Sequence, residues 1–219
     1  MGPIRFFTPA EVARHNTIWD CWVTFLGQVF DVTSLVKAQP GPAAQPIIKA
    51  AGTDISSWFD ADTVDVRTRL NEETGMQEPD CPQGVFIHVP PPNPSTRWDG
   101  SFETPWWNDA QYRVGRLTAG VLRVLVKNVV AEQSYTLEVP QEETLQEIQQ
   151  RYTSINQHAG SYVWTALPHG GSGNQNFKVL DMTKTLHENQ VFGNAPEPGS
   201  VGEHIPTIHL YWTDDLTIG

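Results

Sequence analysis

The chain has 219 residues, with 14 Lys and Arg against 25 Asp and Glu, a formal net charge of -11. The charges are scattered, and no local run of Lys and Arg is long enough to suggest a basic face that would neutralise a phosphate backbone, which argues against a direct DNA or RNA role. Its length suits two small domains, and with no secretory signal and no apolar run long enough to cross a bilayer the chain is expected to be soluble and intracellular.

In chain order, Phe7 to His15 opens a short helix: Thr8 is an N-cap, Pro9 takes the first helical position and Glu11 the capping-box position. Cys21–Phe25 and Val29–Val32 read as two strands of a small hairpin about a turn at Gly27 and Gln28. Thr33 or Ser34 can cap a helical turn through Leu35 and Val36, which Gln39-Pro40-Gly41-Pro42 must end. A second helical piece runs from Ala43 to Ala51 and stops at Gly52, and Asp54 caps a third through Trp58 and Phe59. Cys21 and Cys81 lie outside any CxxC or metal-finger spacing and read as reduced, partly buried thiols.

From about Gln77 to Arg113 the texture changes to proline, aromatic and polar residues, including Pro90-Pro91-Pro92, Trp98, Trp106 and Trp107. This is expected to be a connector that packs along a domain or into a partner, because a solvated linker gains nothing from so many tryptophans. Beyond it, Leu117–Val126 and Gln133–Val139 read as a hairpin joined by Val129–Glu132. Leu145, Ile148 and Tyr152 then recur at helical spacing after Thr144 or the acidic Glu142 and Glu143, which suit a helix N-terminus, and Tyr162–Leu167 and Ile208–Trp212 are short strands.

Several motifs lead nowhere catalytic. His169-Gly170-Gly171-Ser172-Gly173-Asn174 lacks the Gly-Lys-Ser/Thr of a phosphate cradle, and Asp60, Asp62 and Asp65 lack the glycine and terminal glutamate of a calcium loop. Glu203, His204 and His209 fit no ligand spacing, and His209, alternating with Ile208 and Leu210, is expected to face solvent or a partner. No nucleophile sits in a recognisable elbow, so the chain is expected not to be an enzyme and to hold no metal.

The N-terminal motifs Phe7-Thr8, Glu11-Val12-Ala13, His15-Asn16, Asp20-Cys21-Trp22-Val23, Val29-Phe30-Asp31-Val32-Thr33 and Ala51-Gly52 with Asp54 together resemble a cytochrome b5 domain. That family holds haem iron by two histidines, one in a His-Pro-Gly-Gly turn and one after the helix that follows Ala-Gly-x-Asp. Here the first position is Gln39 and the second falls near Thr63 and Val64, so both ligands are missing. His15 matches a family position that is not a ligand and reads as structural. Asp181 and Thr183-Lys184-Thr185-Leu186-His187-Glu188-Asn189 before a last strand are similar to a ubiquitin-like β-grasp domain. The chain ends Asp214-Asp215-Leu216-Thr217-Ile218-Gly219, not Gly-Gly, which argues against conjugation.

These resemblances imply an α+β chain: a cytochrome b5-like domain over 5–76, a Trp/Pro-rich connector over 77–114 and a ubiquitin-like β-grasp domain over 115–219. Together with Val85 to Pro92, Pro105-Trp106-Trp107 and Val114-Gly115-Arg116-Leu117, they resemble the cytochrome b5 domain-containing family of motile cilia. That resemblance implies a structural component of the ciliary or flagellar axoneme at the radial spokes, supporting beating, with radial-spoke proteins as partners and neither nucleic acid nor membrane. Trp98, Trp106, Trp107 and Trp212 are the candidate partner-binding anchors; the alternative is that they seal the contact between the two domains. No cofactor is expected. The other functional reading is a redox-sensing module whose haem is held atypically, with His88 folding back over the pocket beside Gln39.

Overall fold

The computed structural model describes residues 4–91, 100–167, 176–191 and 205–212. The chain divides into two units, Met1–Leu117 and Thr118–Gly219.

The first unit runs β1 (Phe6–Phe7), α1 (Pro9–Val12), β2 (Asn16–Thr17), β3 (Asp20–Phe25), β4 (Gln28–Asp31), α2 (Thr33–Ala38) and α3 (Gln45–Lys49). Two short hairpins follow, β5 (Phe59–Asp60) with β6 (Asp65–Val66) and β7 (Thr68–Leu70) with β8 (Gln77–Pro79), before β9 (Arg113–Leu117). The main sheet has the order β1-β9-β4-β3-β2. Its start follows local rules. Thr8 Oγ1 accepts the Glu11 N–H while the Glu11 carboxylate accepts the Thr8 N–H, a complete capping box. The β3–β4 turn is Leu26-Gly27 rather than Gly27-Gln28; both residues have positive φ (48° and 72°), the twist a two-residue hairpin requires. Thr33 does not cap α2; its hydroxyl accepts the Cys21 N–H and ties the helix to β3.

The expected boundary of the first domain moves. The stretch expected as a connector over 77–114 supplies Phe86, Ile87, Val89, Trp106 and Trp107 to the first unit's core. It then leads into β9, which inserts between β1 and β4. Gly115 is required there, since a Cβ would run into the Arg5 carbonyl oxygen and the Phe7 ring.

The second unit runs β10 (Val121–Asn128), β11 (Gln133–Pro140), α4 (Leu145–Thr153), β12 (Tyr162–Ala166), β13 (Lys178–Val179) and β14 (Thr207–Trp212). The sheet order is β11-β10-β14-β12-β13, with β10 and β14 parallel at the centre. A hairpin, a helix and a last strand parallel to the first make the β-grasp arrangement expected from the sequence. Thr144 and Glu147 form a second capping box, and α4 buries Leu145, Ile148 and Tyr152 against Trp164, Ile208 and Leu210. Asn189 is 3 % exposed and explains the polar run before it: its side chain binds the backbone of Asp181 on both N–H and C=O and the carbonyl of Thr185. Arg151 grips the buried Glu143 carboxylate through Nε at 2.6 Å and Nη2 at 2.5 Å. Among the described residues no helix is long and apolar enough to cross a membrane.

Candidate functional site

The candidate site lies in the first unit, between the Gln39 turn and the Thr63-Val64 turn, the two positions at which the resembled family carries its histidines. Gln39 caps the end of α2, its N–H donating to the Leu35 carbonyl at 3.0 Å. Thr63 and Val64 sit in the β5–β6 loop, where Asp60 Oδ1 accepts the N–H groups of Asp62 and Thr63. Those bonds hold the Asp60 carboxyl below the usual carboxylate range. Asp60, Asp62 and Asp65 thus build a turn, and among the described residues no cluster of His, Cys, Asp and Glu could hold a metal ion.

Phe86, Ile87, Trp106 and Trp107 lie between these turns. Trp106 is 0 % exposed, with ring centroids of Phe25 and Phe30 at 6.0 Å, Phe59 at 6.2 Å, Phe86 at 6.4 Å and Trp107 at 5.7 Å, all edge-on. Edge-to-face contact sets the positive rim of one ring on the negative face of the next. The indole N–H donates to the Ile87 carbonyl at 3.2 Å, so the one polar atom of the buried ring is satisfied. Trp107 is 4 % exposed and donates from Nε1 to Asp65 Oδ1 at 3.1 Å.

His88 does reach Gln39. It adopts φ 70°, a conformation uncommon for a side-chain-bearing residue, which aims its ring inward. Nδ1 accepts the Trp106 backbone N–H at 3.0 Å, and Nε2 lies 3.4 Å from the Gln39 amide nitrogen. With Nδ1 accepting, the neutral ring carries its proton on Nε2, and a flipped Gln39 amide receives it through oxygen. Phe102 stacks on the imidazole at 4.1 Å. Both ring nitrogens are therefore committed to fixing the Trp106 segment.

These residues do not fit a haem. The segment makes contact at both ends of the space between the two turns, His88 with Gln39 and Trp107 with Asp65, the neighbour of Val64. The space itself is packed with indole and phenyl rings. Neither ligand position carries an imidazole, and an amide or an aliphatic side chain cannot replace one on iron.

The expected anchors are redistributed. Trp106 and Trp107 are core residues of the first unit, so neither is a docking anchor nor a seal between domains, because their indoles are already surrounded by that unit's own rings. Trp98 lies outside the described residues, as do Glu203, His204 and the glycine-rich loop at His169. Trp212 is 36 % exposed and leans on Tyr162 at 4.7 Å. Trp19, which no sequence motif marks, is 74 % exposed in the β2–β3 turn, beside Ile18, with the Lys37 ammonium 5.4 Å from its ring centroid. An Ile-Trp pair in a tight turn between two strand signals was the available clue. His15 is structural as expected, stacked on Trp22 at 3.8 Å and bonded to Asp20 at 2.7 Å. His209, expected to face solvent or a partner, is half-buried: it packs on Phe177 at 4.7 Å, and its Nδ1 is buried without a hydrogen bond among the described residues.

A family model described as the cytochrome b5-like heme/steroid binding domain matches residues 8–75. Cytochrome b5 domain-containing protein 1 of Xenopus tropicalis is 41% identical over 226 aligned positions, covering 99% of this chain and 99% of that protein. The Homo sapiens protein of the same name is 41% identical, covering 97% of this chain and 92% of its own length. The solved C-terminal ubiquitin-like domain of mouse tubulin-specific chaperone e covers 44% of this chain and 91% of its own at 11% identity, with a TM-score of 0.32. At that score the second unit's fold rests on its own strand order.

Proposed function

We propose a function from one premise: this chain belongs to the family of cytochrome b5 domain-containing protein 1. It is a structural and assembly component of the ciliary axoneme, at the radial spokes, and supports beating without a prosthetic group. The observation that carries the haem-free part is the packing of Trp106 and Trp107 between the two turns where a cytochrome b5 carries its histidines. The axonemal part rests on the resemblance of the whole chain to the ciliary family. Trp19 and Trp212, exposed while the other described tryptophans are buried or half-buried, are the anchors this reading uses. Aromatic side chains of this kind dominate interfaces because a desolvated ring pocket contributes roughly 2 kcal/mol or more.

The test is to express the tagged full chain in a motile ciliated cell lacking its own copy and to extract the axonemes with detergent. Retention on the axoneme with restored beating is expected, and weaker retention for Trp19→Ala. A protein that leaves wholly with the detergent-soluble fraction would overturn the structural role. The redox reading is separated by titrating the purified chain with haemin, where no saturable Soret shift is expected from either the native sequence or His88→Ala. A saturable shift lost in His88→Ala would restore haem binding.

A further inference from the structure

Strand β9 carries Arg113 and Arg116, three residues apart. On a regular strand that spacing sends side chains to opposite faces. Here the register against β4 slips: Gln28 pairs with Arg116, Val29 with Gly115 and Phe30 with Arg113, leaving Val114 as the extra residue of a β-bulge. Bulges re-aim side chains in this way. Both arginines stand opposite residues two apart on β4 and therefore share one face, about 7 Å apart along the strand.

They line a surface cleft of about 260 Å³ with Ile4, Arg5, Gln28 and Val114. Arg5, Arg113 and Arg116 are exposed, and none of the three makes an ion pair among the described residues. Arg5 lays its guanidinium over the Phe7 ring at 4.8 Å, adding charge to the rim without a free fork. The acid nearest in sequence, Asp109, is engaged by Gln111. In a chain of net charge -11, three unpaired guanidinium groups on one cleft stand against the overall field. An anion in the cleft would relieve their mutual repulsion.

We propose that this cleft binds an extended acidic peptide segment of a partner protein. Carboxylates at alternate positions of the segment meet Arg113 and Arg116, because an extended chain repeats its side chains on one face every two residues, the spacing of the two guanidinium stems. Each planar fork matches one carboxylate in two hydrogen bonds. The methylene stems of the acidic residues lie against Ile4, an exposed apolar side chain on the rim. The site is independent of the tryptophan packing and of the axonemal location.

The test is fluorescence anisotropy of the full chain with a fluorescein-labelled peptide of alternating Glu and Val, a control peptide with Gln for Glu, and pyrophosphate as competitor. The glutamate peptide is expected to bind at micromolar concentration and to weaken as salt rises, while the glutamine peptide does not bind. Arg113→Gln and Arg116→Gln should each weaken binding on the order of tenfold, and Lys49→Gln, an exposed charge outside the cleft, should leave it unchanged. Equal binding of the two peptides, or full binding by the double arginine variant, overturns the proposal. Loss in that variant of pyrophosphate binding alone overturns it too and makes the cleft a phosphoryl site. Equal binding in the two wild-type titrations refutes the proposal even where a variant fails to fold.

Discussion

Replacing Trp106 by alanine separates a core residue from a docking anchor. The indole is fully buried, touches five aromatic rings and satisfies the Ile87 carbonyl. Deleting a buried tryptophan side chain costs about 3–5 kcal/mol through lost transfer energy and the cavity left behind. Small domains have only about 5–15 kcal/mol in total. Hydrogen exchange resolves where the loss falls: peptides from β3 and β4 report the first unit, and peptides from α4 report the second. With about 1.4 kcal/mol per tenfold, protection in β3 and β4 should drop between a hundredfold and several thousandfold while α4 is unchanged. Trp19→Ala, an exposed ring, should alter neither. A drop of less than tenfold for Trp106→Ala would refute the reasoning and return this residue to the surface.

Two further expectations concern titration. Burial, with the nearby Asp31 and Asp20 carboxylates, pushes the fully buried Cys21 thiol up to about 11, so in the native chain Ellman's reagent should modify Cys81 first and Cys21 only on unfolding; equal rates would contradict the packing. Burial and then Lys127 hold His209 below its ordinary value of 6.5, so the unfolded chain takes up this proton more readily than the folded one. The stability that this neutral ring contributes is complete above 6.5 and is lost as pH falls through the folded value. The urea midpoint of α4 protection should therefore fall between about pH 7.5 and pH 5.5, and His209→Asn should flatten that slope.

Much of the architecture is decided by neighbours within four residues of each other, and that part is legible in the sequence. Thr8 with Glu11 and Thr144 with Glu147 are caps whose partners sit three residues away, and both form as their spacing dictates. The hairpin of β10 and β11 and the seam of Leu145, Ile148 and Tyr152 follow from periodicity alone. The loss of both histidine positions is legible as well, as a matter of residue identity once the chain is set against the cytochrome b5 family it resembles.

The fate of the tryptophans is different in kind. Trp106 is filled in by Phe25, Phe30, Phe59 and Phe86, side chains from four separate segments, and no local pattern says that these will converge. A proline-rich, irregular stretch carries no periodicity to mark an inward face, so a buried strap and a partner-docking strap look alike until the chain is folded. The shared face of Arg113 and Arg116 has the same origin, because a bulge belongs to the pairing of two strands and not to either one. The sequence by itself determined the caps, the seams and the absence of an iron ligand pair; the tertiary structure decided what fills the space, because burial is a property of distant segments meeting.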